Sequence, residues 1–352
     1  MINLNAGINK TGYGVVATNI LMSLDAAQKS PVLWPIGSPE FDSPREADTF
    51  KQSIQRQASY NPQSPSLRIW HQFDLAERYS SNQNTALTFF EVDKLSERDV
   101  QHINSVDELF VGSTWAKNIV ENQCSTKCTV IPLGVDRKIF FPKEPKSKKD
   151  ETYRFFSTGK IEKRKGYDVL VEAFNKAFGK DDNVQLHIKW YNPFLTTSER
   201  SDWANLYEDS KLGNKIYFHH TKTQEDVAKI MQACDCGVYP TRAEGFGLGI
   251  LEAIACGKPV ITTNYSAHVD FCKRAKVNLI DMPHREPALD GKWFHGEAQW
   301  ARWGNKETQE LADLMRVKYE YFDNENPNYQ KALDWYNWEN CTNHICKSLN
   351  IA

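Results

Sequence analysis

Glu244-Gly245-Phe246-Gly247-Leu248-Gly249-Ile250-Leu251-Glu252 decides how this chain is read. The stretch follows a short apolar run, Cys236-Gly237-Val238-Tyr239, and a turn, Pro240-Thr241-Arg242-Ala243, and it opens a helix expected over residues 247 to 256. A glycine-rich turn between strand and helix lets the backbone approach a ligand closely, and the free amides at the helix start favour an anionic group. Glu252 falls in the second turn of that helix, near its binding end, where a carboxylate can accept hydrogen bonds from sugar or ribose hydroxyls. Tight helix–strand packing also calls for glycines, so the turn alone leaves both readings open.

The same alternation runs outward from this turn. Arg154-Phe155-Phe156-Ser157-Thr158, Val184-Gln185-Leu186-His187-Ile188, Ile216-Tyr217-Phe218 and Val260-Ile261-Thr262 are short apolar runs, with helical periodicity over 168 to 178 and 224 to 233. Strands that alternate with helices predict a parallel sheet wrapped by helices. The first part of the chain carries a second set: Ile2 to Gly7, a glycine turn at Thr11-Gly12-Tyr13-Gly14, a helix from Val15 to Leu24, then runs at Leu67 to His71, Ala86 to Phe90, Glu108 to Gly112 and Cys128 to Pro132. Residues 37 to 66, rich in Ser, Pro, Gln and Asp, read as irregular or peripheral. The polar, lysine-rich stretch from about 143 to 152 interrupts the pattern and marks the boundary between a domain over 1–142 and a doubly wound α/β domain over 151–332. Leu311 to Tyr321 and Tyr329 to Leu349 read as helices.

At 352 residues the chain suits two domains of roughly 150 to 200 residues. Hydrophobic residues at 40% and charged residues at 25% fit a soluble globular protein, and no stretch approaches the roughly 18 apolar residues of a membrane span. Met1 to Asn5 has neither the positive nor the apolar region of a secretory leader, so a cytoplasmic location with reduced thiols is expected. The eight cysteines show no paired C-x-x-C sets and no zinc-spaced histidine. A net charge of −2 argues against a long polyanion as the main partner. Lys143, Lys146, Lys148 and Lys149 read as a solvated linker.

A second segment with chemical content is Gly159-Lys160-Ile161-Glu162-Lys163-Arg164-Lys165-Gly166, placed after the first strand of the second half. Cations on such a loop can neutralise the charge that develops on a diphosphate leaving group. A solvent-exposed turn is the plainer alternative.

Glu244 and Glu252, separated by seven residues, resemble the E-x7-E signature of the retaining nucleotide-sugar glycosyltransferases of family 4. That resemblance implies the GT-B fold: two facing doubly wound α/β domains with a cleft between them. It further implies that Glu244, Gly245, Phe246, Gly247 and Leu248 meet the donor and its transferred sugar, and that Glu252 binds the nucleotide ribose. Lys160 stands where the family's basic loop has an Arg, keeping the charge without the bidentate fork, and Lys165 matches its Lys. Both are candidates to stabilise the departing diphosphate. Gly12 and Gly14 resemble the N-terminal glycine loop that approaches the diphosphate. Ile131 to Asp136 looks like the interdomain segment, and Gly257 to Thr263 like the strand after the donor helix. Trp335 to Glu339 looks like the tail where the last helix, about 333–352, crosses back onto the first domain. These pieces span roughly residues 85 to 345 in the family's order.

The implied reaction moves a hexose or similar sugar from a UDP- or GDP-sugar to a hydroxyl of a saccharide, a lipid-linked saccharide or another acceptor. No Asp-x-Asp occurs, so metal-independent transfer without a cofactor is expected, with lysines and helix amides in place of the ion. A phage-type enzyme that decorates modified bases in DNA, and an inactive sugar-nucleotide-binding protein, are the alternatives. One departure concerns the strand that enters the cleft: many members end it in His, whereas this chain reads Phe90-Glu91-Val92-Asp93, as in a subgroup with F-E-x-D. Glu91 can orient an acceptor hydroxyl or accept its proton, or else cap a helix or pair with a cation. Asp93 and His71 are further acceptor candidates. The amides beside His268 could meet donor phosphate, and Trp293-Phe294-His295 with Trp300 and Trp303 could stack on a ring or simply pack a long loop.

Overall fold

The computed structural model describes residues 1–143, 152–321 and 329–351. The lysine-rich linker expected at 143 to 152 therefore lies almost wholly outside the described residues. The chain divides into two compact units, Met1–Asp136 with Asp334–Ala352, and Arg137–Leu333.

In the first unit six strands form one sheet: β1 (Ile2–Ala6), β2 (Pro31–Pro35), β3 (Ser66–Ile69), β4 (Asn84–Thr88), β5 (Glu108–Val111) and β6 (Cys128–Val130). Their order is β2-β1-β3-β4-β5-β6, and every pairing is parallel. All five residues of β1 are buried, as expected of a parallel strand covered on both faces. The helix Gly12–Ala26 follows β1. The segment read as irregular contains a helix, Pro44–Gln55, started by Ser43 accepting the Glu46 amide and by proline at the first turn. Its apolar stripe is only Ala47, Phe50 and Ile54, all half-buried and set among polar residues, while the buried residues are Thr49 and Ser53, so hydrophobic periodicity there is slight.

The C-terminal tail returns to this unit. Its helical stretch is broken into Gln330–Leu333 and Trp338–Ser348, because Asn337 starts a new helix by accepting the Asn340 amide. Trp338–Ser348 packs on Gly12–Ala26, and Val135 bridges to Asn337. A Cβ on Gly134 would lie 2.3 Å from the Trp338 nitrogen, so that approach demands glycine.

The second unit repeats the plan with β7 (Tyr153–Ser157), β8 (Val184–Lys189), β9 (Ile216–His219), β10 (Cys236–Tyr239), β11 (Val260–Thr263) and β12 (Asn278–Ile280). The order is β12-β11-β10-β7-β8-β9, again parallel throughout. The strand order runs outward in opposite directions from β7 and β10. Ligands of open α/β sheets bind at the carboxyl ends of strands flanking such a switch point, and both chemistry-bearing segments of the sequence leave from there. An antiparallel pair, β13 (Arg285–Leu289) and β14 (His295–Ala301), follows and precedes the helix Asn305–Tyr321.

Candidate functional site

Two glycines shape the switch point. Gly166 has φ +73°, and a Cβ there would lie 1.8 Å from the Pro240 carbonyl oxygen. The loop after β7 can thus rest directly on the turn after β10, where the Arg242 amide donates to Arg164 O at 2.7 Å and the Thr241 hydroxyl at 3.2 Å. Gly247, with φ +97°, turns the chain into the helix Leu248–Ala255, whose first turn no side chain caps. At its far side Tyr239 OH donates to Gly249 O at 3.0 Å and lies 3.1 Å from Thr158 Oγ1, tying β10, β7 and the helix start together.

Glu244 is 4% exposed, yet charged partners surround it. Lys165 Nζ donates to Oε1 at 2.7 Å and to Oε2 at 2.6 Å, and Arg164 Nη1 stands 3.6 Å from Oε2. Burial pushes this carboxyl's pKa up, but attraction to Lys165 and then Arg164 outweighs it and holds the group below the ordinary range. The backbone is fixed as well: the Glu244 amide donates to Ser266 Oγ at 2.8 Å. Arg164 itself is buried, donating to Ala243 O at 2.7 Å and bonding Glu162. Lys165 is different. Its side chain keeps one-fifth of its surface exposed, so the ammonium bridges the buried acid and the solvent side.

Glu252 lies on the helix, 9% exposed. No hydrogen bond or ion pair among the described residues satisfies its carboxylate, and burial pushes its pKa up to about 7 against the weaker pull of Lys189 and Lys165. A nearly buried carboxylate with free lone pairs is poised to accept hydroxyl donors.

The other sequence candidates of this unit separate. Gly245 and Phe246 are buried, with the Phe246 ring against Phe271 at 5.3 Å, so this stretch offers backbone rather than side chain. Leu248 is half-buried at the helix start. Lys160 turns away from Glu244, with its ammonium 3.4 Å from Glu162 and 5.2 Å above the Phe194 ring. His268 is fully buried behind Gly247, bonds Thr263 O at 2.7 Å through Nε2, and is held neutral by burial, which pulls its pKa down to about 4. Trp300 is buried against Phe294, whereas Trp293 is exposed. Sequence reasoning passed over Arg242, whose guanidinium pairs with both oxygens of Asp168 at 2.8 Å, Glu286 at 2.7 Å and Lys163 O at 2.6 Å. Arginine at the end of the turn before Glu244 was its only signal.

In the first unit, Tyr13 OH donates to Phe89 O at 2.6 Å and accepts the Phe89 amide at 2.9 Å, locking the Gly12–Gly14 turn to the end of β4. His71 lies 4.5 Å from the Tyr13 ring and stacks on Phe73. Glu91 and Asp93, half-buried, follow β4 at the same end of the sheet. Gly14 is required by packing, since a Cβ would lie 2.2 Å from Asn9 O, while Gly12 faces open space.

Residues 138–286 match the family model described as glycosyl transferases group 1, so the second unit carries a glycosyltransferase domain and the family-4-like reading is borne out. The match includes the basic loop and both glutamates and stops within β13. Mannosylfructose-phosphate synthase of Agrobacterium fabrum is 25% identical over 215 residues, 56% of this chain and 46% of that protein. The chain spans less than half the length of the curated relatives it matches. Among solved structures, sucrose-phosphate synthase from Thermosynechococcus elongatus matches with TM-score 0.72 at 15% identity, over 99% of this chain and 98% of that one. Anabaena HepE in complex with UDP-glucose matches with TM-score 0.69 at 14% identity over 99% of both chains. These likenesses establish the fold as GT-B.

Proposed function

We propose, from the glycosyltransferase group 1 domain of the second unit, that the protein moves a hexosyl group from a nucleoside diphosphate sugar to an acceptor hydroxyl, with retention at the anomeric carbon and without a metal ion. One observation carries this reading: at the switch point Lys165 acts on two nearly buried acids, Glu244, which it and Arg164 keep ionised, and Glu252, which has no partner among the described residues. Glu252 accepts the ribose hydroxyls, and the amides of the 245–248 turn with Lys165 hold the diphosphate, assisted by Lys160. Glu244 and the Gly245 to Gly247 backbone read the hydroxyls of the transferred sugar. The bond from the anomeric carbon to the β-phosphate oxygen breaks with its electron pair leaving on the diphosphate. The acceptor oxygen bonds the same face of that carbon, and its proton passes to the departing phosphate oxygen. Negative charge grows on the diphosphate, and Lys165, already paired with a buried anion, stabilises it without reorganising.

UDP-glucose is the first donor to test, because a protein of the same fold has been crystallised with it; a GDP-sugar is the second. The acceptor is a saccharide hydroxyl, for which His71, Glu91 and Asp93 are the candidate partners, Gly12 and Gly14 are further candidate donor-binding residues, and the protein works in the cytoplasm. The test is release of UDP from UDP-glucose with and without saccharide acceptors, in chelator, with the product's anomeric configuration read by NMR. Wild-type turnover that persists in chelator, retains configuration and disappears in Glu244→Ala is expected. Full turnover by Glu244→Ala, or no nucleotide sugar bound by the wild type, would sink the assignment.

A further inference from the structure

Past the segment that the family model covers, the turn between β13 and β14 holds Trp293 out at 58% exposure. This turn is built rather than loose. Asp290 Oδ1 accepts the amides of Lys292, Trp293 and Phe294 at 2.9, 2.8 and 3.0 Å, and the Phe294 ring anchors the turn on buried Trp300. The Trp293 ring meets Phe194, itself 43% exposed, edge to face at 5.7 Å. Phe194 is fixed in turn: its amide donates to Asn192 Oδ1 at 2.9 Å, and its carbonyl accepts Lys292 Nζ. Charged groups border the two rings, with the Lys160 ammonium above Phe194 and Lys292 paired to Glu199 at 3.4 Å.

We propose that Trp293 and Phe194 form a stacking platform for a pyranose ring of the acceptor, an inference that rests on the glycosyl-transfer reading. An exposed indole held edge to face on Phe194 and bordered by hydrogen-bonding charges suits a ligand with both an apolar face and hydroxyls, and a sugar ring has both. Contacts run unbroken from the platform to the transfer centre within this unit: Phe194 to Lys160, Lys160 to Glu162, Glu162 to Arg164, Arg164 to Glu244. The platform is thus linked to Glu244 through Lys160, the residue read as assisting with the diphosphate.

The experiment measures binding of maltopentaose, cellopentaose and chitopentaose, each by saturation-transfer NMR and calorimetry, beside UDP-glucose binding, for wild type, Trp293→Ala and Trp293→Phe. At least one oligosaccharide is expected to bind the wild type and to bind Trp293→Ala roughly tenfold more weakly. Trp293→Phe should restore most of that affinity, and the UDP-glucose Kd should be the same in all three. Unchanged oligosaccharide binding in Trp293→Ala, loss of UDP-glucose affinity in that variant, or no response of the wild type to any oligosaccharide would overturn the platform. Failure of the wild type to bind any nucleotide sugar sinks the proposed function instead, and oligosaccharide data distinguish the two.

Discussion

Each unit opens a helix with a glycine turn after a buried strand, but the turn from β1 into Gly12–Ala26 and the turn from β10 into Leu248–Ala255 are held by different forces. Beside one ion pair, Lys10 to Asp42 at 2.6 Å, the first is a neutral construction. Asn9 Oδ1 accepts the Thr11 amide and hydroxyl, Gly14 packs on Asn9, and Tyr13 is tied to the backbone after β4. At the second, the neighbouring loop after β7 delivers Lys165 and Arg164 onto Glu244. The same chain grammar thus yields a packing turn or a charged site according to what the adjacent strand's loop supplies. Position in the sheet decides it: β7 and β10 flank the switch point, so their loops must meet.

Removing the lysine attacks that contrast most directly. Lys165→Ala leaves Glu244 with only Arg164 at 3.6 Å and takes away the exposed ammonium. Turnover of UDP-glucose is expected to fall by about 10²- to 10³-fold, the scale of losing one preorganised donor to developing charge. A fall smaller than tenfold in steady-state kinetics would reduce the second turn to a packing turn like the first.

The next test separates the two acids of the second turn. Burial raises the Glu252 pKa from 4.5 to about 7, so between those values the folded chain binds a proton that the unfolded chain has lost. Stability therefore decreases as pH climbs from about 4.5 to about 7, by about 3 kcal/mol in all, and stays lower above that. Glu252→Gln should flatten this slope in urea titrations at pH 5 and pH 8 and be the more stable protein at pH 8. The same variant should bind UDP-glucose at least about tenfold more weakly, because bonds to a charged acceptor are the stronger ones. An unchanged slope would mean that the carboxylate is already satisfied, as Glu244 is.

What the sequence revealed of this contrast follows its local content. Buried parallel strands read as apolar runs, so most strands of both sheets were visible, and the two glutamates advertised themselves by spacing along one turn and helix. The helix Pro44–Gln55 was passed over, because its short stripe of Ala47, Phe50 and Ile54 is set among the polar residues that made the segment read as irregular. The β13–β14 pair opens on Arg285, Glu286 and Pro287 and on exposed His295, and its only alternation, Glu297-Ala298-Gln299-Trp300, is too short to stand out. Which cation meets Glu244 was also hidden. The resemblance favoured Lys165 over Lys160 but gave no contact for either; the left-handed step at Gly166 against Pro240 brings Arg164 and Lys165 inward and leaves Lys160 on Phe194. Tertiary contact, absent from any local pattern, made that choice.

Glycines probe the first turn from the packing side. Gly14→Ala forces a methyl to within 2.2 Å of the Asn9 backbone oxygen, and the chain must move to admit it. A loss of about 1–3 kcal/mol in denaturant unfolding is expected, the usual cost of overpacking. Gly247→Ala, whose Cβ would meet the His268 Cβ at 3.0 Å in a left-handed backbone, should fall in the same range. Comparable losses would show that the two turns share their packing and differ only in charge.

Gly12→Ala is the smallest change and the sharpest for the first turn. Gly12 is the first residue of its helix, is exposed, and has nothing within 4 Å of an added Cβ. Its φ is not positive, so alanine fits and restricts the unfolded chain, and a gain of about 0.5–1 kcal/mol is expected, visible as a Tm higher by about 1–4 °C. If this turn approaches the donor diphosphate, the methyl intrudes where the backbone should, and UDP-glucose turnover falls several-fold while stability rises. A more stable variant with unaltered turnover would assign the first glycine turn to folding alone and leave the chemistry of donor recognition to the second.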